Sequence, residues 1–137
     1  MIQSLLASDS NLVYSAETNK FYRYVGTTGN WSDASTAAQA DLLAGIAGEL
    51  VTIHSATENQ IVHDFSQLHG GSIWLGASDD VVEGEWYWYS AGNQGQQFWE
   101  GNASGYAVNG AYENWLSNEP NNDTGTEPTG ENHLYMA

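Results

Sequence analysis

The sequence predicts one mixed α+β domain, and three observations carry that prediction. Alternating aromatic and charged residues lie near the N-terminus, two stretches with helical apolar spacing follow, and strand-like segments return after residue 72 around a long polar stretch. With 137 residues and 41% apolar content, the chain has the material for a single core.

Residues 1–10 read as an N-terminal linker and residues 11–137 as the domain. Residues 20–25 (KFYRYV) show the period of two of a half-buried strand, and residues 11–14 supply a hairpin partner. After Trp31, Ser32 is placed to cap a helix running to about Leu43, with Ala38, Leu42 and Ile46 as its apolar stripe and Gly45 and Gly48 as its stop. Residues 50–53 read as a short apolar strand. Ser55 and Glu58 then have capping-box spacing, and Ile61, Phe65 and Leu68 recur at i, i+4 and i+7. A second helix should therefore run to about Leu68 and stop at Gly70 and Gly71.

Residues 73–76 read as a buried strand, and residues 85–89 (EWYWY) alternate Trp86 and Trp88 with Tyr87 and Tyr89 on opposite faces. These tryptophans, with Trp74 and Trp115, are assigned to packing. Between Ser90 and Asn132 the chain is rich in Gly, Asn, Ser and Thr and far longer than a usual connection. Phe98, Trp99, Tyr106, Tyr112, Trp115 and Leu116 give it anchors that disordered segments lack, so the expectation is an ordered loop pinned by a metal. Residues 133–136 return to strand composition.

Lys20 and Arg23 are the only strong bases against 17 acids, a formal charge of −15. Nucleic-acid backbones and anionic lipid surfaces are repelled by such a chain. Acids in this excess need high ambient salt, bound metal ions or wide spacing. There is no cysteine, hence no disulfide and no thiolate metal site. Residues 1–7 lack the positive flank and length of a secretory signal, and no window reaches transmembrane length. A role outside a cell would imply membership of a larger secreted protein.

The chemistry concentrates at residues 119–131, where Glu119, Pro120 and Asn121 lead into a polar loop that ends at Glu131 and Asn132. Carboxylates and amides are hard oxygen donors, the set from which calcium takes six to eight ligands. Such ligands exchange, so neighbouring hydroxyls of a sugar can replace bound water. Glu119 would accept a hydroxyl proton while the Asn121 amide donates, an asymmetry that selects a diol geometry.

Taken in order, a strand, two helices containing GELVTIHSATENQIV, then IWLGASD, EGEWYW, NW, EPN and a GEN before a strand resemble the C-type lectin-like domain family over about residues 21–136. The resemblance implies two helices flanking small antiparallel sheets with a long calcium-binding loop region, and a cis bond before Pro120. It maps Glu119, Asn121 and Glu131 onto ligands of a principal calcium that holds vicinal sugar hydroxyls, with Asn132 beside them. An EPN triplet goes with mannose, fucose or N-acetylglucosamine. Asp79, Glu83 and Asn122 map onto an auxiliary calcium site, weaker because Asn122 and Asn132 stand where acids are common.

Three departures qualify the resemblance. His133 stands where a cysteine is common, so core packing must replace two bridges of ~2–4 kcal/mol each; cysteine-free members point to a bacterial source. The gap between Asn121 and Glu131 is longer and brings in Asp123 and Glu127 as rival ligands. The family's Trp-Asn-Asp motif and final strand do not occur before Ala137, which leaves the N-terminal strand an open edge and suggests a fragment or a complementing C-terminal segment.

These features predict a non-enzymatic module that binds calcium and, through it, mannose-type carbohydrate, as an adhesin module of an extracellular bacterial protein. One shallow site binds weakly, so adhesion needs several copies. The alternative is a lectin-like module that binds protein or acts as a spacer, with calcium absent or only bracing the loop. A hydrolase built on Glu83 and Glu85 is a distant third. His54, His63, His69 and His133 form no His-Glu-x-x-His motif, and an EF-hand beginning at Asp79 fails because Ser90 stands at position twelve. Asn30, Asn102 and Asn122 each open an Asn-x-Ser/Thr triplet, a glycan acceptor in a eukaryotic secreted protein and of little meaning in a bacterial one.

Overall fold

Alternation in the sequence builds the sheets. In the computed structural model, which describes residues 1–26, 28–125 and 130–137, β1 (Leu12–Ser15) pairs antiparallel with β2 (Lys20–Arg23), Leu12 opposite Arg23 and Ser15 opposite Lys20. Leu12 and Tyr22 are buried, which is why this hairpin sits on the protein. The stretch expected as a linker contains a short helix, α1 (Ile2–Ser8). It is followed by Asp9, whose carboxylate takes Arg23 Nε at 2.8 Å.

Helix α2 (Trp31–Ala40) departs from expectation at both ends. Its cap is Asn30, whose Oδ1 accepts from Asp33 N at 2.9 Å, and not Ser32. The start moves back because Trp31 is buried in the first turn and donates from Nε1 to the Leu75 carbonyl at 2.7 Å. The helix stops at Ala40, short of Leu43. Beyond it β3 (Leu42–Leu43) and β4 (Ile46–Ala47) form a tight hairpin around Ala44 and Gly45, both at positive φ as a type I′ turn requires. Leu42 and Ile46 are consequently exposed, and the expected apolar stripe does not exist.

Residues 50–53 form no strand; one bond from Gly76 N to Val51 O at 2.8 Å ties them to the main sheet, and Ile53 is buried. Helix α3 (Ala56–Gln67) starts as the capping box predicts, with Ser55 Oγ accepting from Glu58 N at 3.1 Å. Glu58 reaches back one residue further than the motif requires, accepting from His54 N at 3.1 Å, and also pairs with Lys20 at 2.8 Å. Val62 and Ser66 form its buried face, with Ile61 and Phe65 half-buried beside them. Leu68 was expected in the core and is 77% exposed, because the helix ends before it.

The main sheet is antiparallel, in the order β8-β7-β6-β5-β9. Its strands are β5 (Ile73–Ser78), β6 (Glu85–Ser90), β7 (Asn93–Glu100), β8 (Tyr106–Ala107) and β9 (His133–Met136). The region expected as one long loop after Ser90 therefore begins with an eight-residue strand. Ala91 and Gly92, both at positive φ, make the two-residue turn from β6 into β7. Trp86 and Trp88 are buried as the EWYWY alternation predicts, Trp88 stacking on Phe98 at 4.5 Å. Trp74 is only half-buried, its Nε1 donating to Gly29 O at 3.0 Å. This is a mixed α+β fold whose helices and small antiparallel sheets are consistent with a C-type lectin-like domain. Among the described residues no helix is long and apolar enough to cross a membrane.

Candidate functional site

The segment after β8 is anchored by Trp115, which meets Trp86 edge-on at 5.1 Å and lies parallel to Phe98 at 6.1 Å. From that anchor the chain reaches Glu119, whose amide donates to Leu116 O at 3.0 Å, and the Glu119–Pro120 bond is cis with Pro120 buried. Glu119 and Asn121 are joined twice: Asn121 Nδ2 donates to Oε1 at 2.8 Å and Asn121 N to Oε2 at 3.2 Å. Burial pushes the Glu119 carboxyl above the usual carboxylate range, Glu131 and Asp123 add repulsion, and the Asn121 amide partly offsets both.

Glu119, Asn121, Glu131 and Asn132 all line one cleft of about 820 Å³. Its deeper wall is aromatic, with Trp31, Trp86, Trp88 and Trp115. The indole N–H groups of Trp86 and Trp115 are buried without a hydrogen-bond partner among the described residues. All four residues assigned to the principal site thus line the same cleft, and the charge of Glu131 acts on Glu119. Glu127, a rival ligand in the sequence, lies outside the described residues, while Asp123 acts on Glu119 through its charge.

The residues assigned to the auxiliary site lie apart from that cleft. Asp79 follows β5 and is 3% exposed; its Oδ2 accepts from Gly84 N at 2.9 Å, and its Oδ1 is buried without a partner among the described residues. Desolvation raises its pKa to about 6, opposed by the Gly84 amide and increased by Glu83 and Asp80. Glu83 is exposed on the same turn. Asn122 adopts positive φ with its Oδ1 buried against Gly130, where any Cβ would collide with it, and without a hydrogen-bond partner among the described residues. Asp79 N donates to Asn132 O at 3.2 Å, which links the two groups just before β9.

Neither strong base is available to neutralise these acids. Lys20 pairs with Glu58, and Arg23 bridges Asp9 and Asp41 at 2.8 and 2.7 Å. Among the described residues no three His, Cys, Asp or Glu side chains cluster as a metal site would require, so amide oxygens must complete any shell. The residues present supply them. Glu119, Asn121, Glu131 and Asn132 offer anionic and amide oxygens to the one cleft they line, a donor chemistry that fits a calcium-type cation, while Asp79 Oδ1 and Asn122 Oδ1 are buried acceptors lacking a donor among the described residues.

Sequence reasoning missed two neighbours of the site. Asp80 lines the cleft and pairs with His133 Nε2 at 3.0 Å, and His133 stacks on Trp31 at 4.8 Å. The doubled acid after IWLGAS was the available signal for Asp80; nothing local announced His133.

Comparison with known proteins places the chain beside two others. It is 34% identical over 131 residues to Halomucin of Haloquadratum walsbyi, a match covering 96% of this chain and 1% of that protein. It is 25% identical over 113 residues to Ladderlectin of Oncorhynchus mykiss, covering 80% of this chain. The chain spans about half the length of Ladderlectin (48%) and a hundredth of Halomucin (1%). No family model matches, and no solved structure matches. The similarity to Ladderlectin supports a lectin-like chain and goes no further.

Proposed function

We propose that this domain binds carbohydrate in a calcium-dependent manner, with Glu119, Asn121 and Glu131 as the binding residues and Asn132 beside them. The observation that carries the proposal is the Glu119–Asn121 pair, held together at 2.8 Å on the rim of a cleft that Glu131 shares, with both strong bases of the chain engaged elsewhere. Calcium bound there would supply exchangeable coordination positions for two neighbouring hydroxyls. Glu119 accepts a hydroxyl proton and the Asn121 amide donates to the sugar, so the pair orients one diol geometry. Asp79, Glu83 and Asn122 would brace the adjoining loop around a second, weaker ion. The name Ladderlectin marks that relative as a lectin, which supports the class of ligand; mannose-type specificity rests on the EPN triplet. An extracellular role as one repeated adhesin module is part of the same proposal.

The test is binding to immobilised mannose, fucose and N-acetylglucosamine with calcium and with EDTA. Binding should disappear with EDTA and in Glu119→Gln, whose fold is checked by circular dichroism. Binding that survives either change rejects the proposal. A second reading, a lectin-like module that binds protein, is favoured by the cleft's aromatic wall and its two indole donors that have no acceptor among the described residues. That reading predicts a peptide or protein ligand whose binding EDTA leaves unchanged.

A further inference from the structure

The three Asn-x-Ser/Thr triplets occupy different environments. Asn30 is spent as the cap of α2, and the middle residue of its triplet, Trp31, is 8% exposed and bonded to Leu75 O. Asn122 has its side-chain oxygen buried against Gly130, so its amide lacks space for a substituent. Asn102, Ala103 and Ser104, in contrast, are all exposed in the connection from β7 to β8.

That connection is presented firmly. The Asn102 main-chain carbonyl accepts from Trp99 Nε1 at 3.1 Å and from Gly105 N at 2.8 Å, and Trp99 itself is buried. Gly101 N donates to Gly84 O at 2.8 Å, tying the loop's other end to the β5–β6 turn. Asn102 Oδ1 accepts from Ser104 N at 2.9 Å, an Asx turn that folds the hydroxyl residue back toward the asparagine side chain. Asn102 Nδ2 has no hydrogen bond among the described residues.

We propose that Asn102 is an attachment site for an N-linked glycan. The donor class is an oligosaccharide joined through phosphate to a polyprenyl lipid, delivered by an oligosaccharyltransferase. A bond forms between Nδ2 and sugar C1, the bond from C1 to the phosphate oxygen breaks, and the lipid phosphate leaves with the electron pair. The Nδ2 proton passes to a base of the transferase, and nothing is oxidised or reduced. Folding discriminates here among three triplets that look equivalent in sequence.

The test is secretion of the full chain from an N-glycosylating host, with intact mass and glycopeptide sequencing after release by peptide N-glycosidase in heavy-oxygen water, which converts an occupied asparagine to labelled aspartate. The label should fall on Asn102, vanish in Asn102→Gln and Ser104→Ala, and persist in Asn30→Gln and Asn122→Gln. Ser104→Ala answers the question if Asn102→Gln is not secreted. A label confined to Asn30 or Asn122, or a secreted, folded chain with none, overturns the proposal. Neither outcome bears on the calcium-dependent sugar site.

Discussion

Asp79 accepts from Gly84 N on one oxygen at 2.9 Å while its other oxygen is buried with no partner among the described residues. Desolvation dominates, and the folded pKa of about 6 lies above the unfolded value near 3.9. The folded state therefore holds this proton more tightly. The stability so contributed is fully present below about pH 4 and is lost as pH rises through about 6, on the order of 3 kcal/mol in chelator. Asp79→Asn keeps an acceptor for Gly84 and should flatten the profile, raising the melting temperature at pH 8 above that of the parent. Thermal melts in EDTA across this range check it, and a parent profile already flat would refute it.

Glu119 carries a second pH dependence, of binding. Burial and the charge of Glu131 raise its carboxyl pKa, so protons compete there with a cation. Cation affinity at the proposed site should fall as pH is lowered from neutrality, earlier than an ordinary carboxylate would make it fall. Terbium luminescence sensitised by the cleft tryptophans is the measurement, with Glu119→Gln expected to lose most of the affinity and its pH dependence.

Gly76 has no room for a side chain: a Cβ would stand 2.8 Å from Leu50 O, beside the Gly76 N to Val51 O bond. Gly76→Ala should push residues 50–53 off the sheet and loosen Ile53, at a cost of about 1–3 kcal/mol. A lowered urea midpoint with unchanged slope is the expected result.

Stability should rise with salt. Seventeen acids face two strong bases, both already paired. Molar KCl shortens the screening length from ~10 to ~3 Å, relieving repulsion more than it weakens the few ion pairs. Calorimetry between about 0.1 and 2 M KCl should show an increasing melting temperature; a decrease would mean that the Arg23 and Lys20 pairs outweigh the excess charge.

Local chemistry made much of this protein legible in its sequence. Ser55 and Glu58 lie within one turn, so the start of α3 was set by neighbours. Trp86 and Trp88 are buried because a strand's faces alternate whatever it packs against. The acids and amides of residues 119–132 declared hard-oxygen chemistry by residue type alone, and four of them line one cleft.

Contacts between distant residues decided the rest. Trp31 reaches Leu75 across 44 residues, and that bond, invisible to periodicity, moved the start of α2 from Ser32 to Asn30. Ala44 and Ala91 accept positive φ, which alanine seldom adopts, because the strands they join are paired; the two hairpins were therefore unreadable from residue type. Residues 93–97 are polar or glycine and mostly exposed, and they become strand through the ladder with β6 rather than through any apolar pattern of their own. Sequence period reports which face of an element is greasy over a turn or two. Where the element ends, and which side chains it brings to a site, depends on the free energy of partners that only folding places alongside.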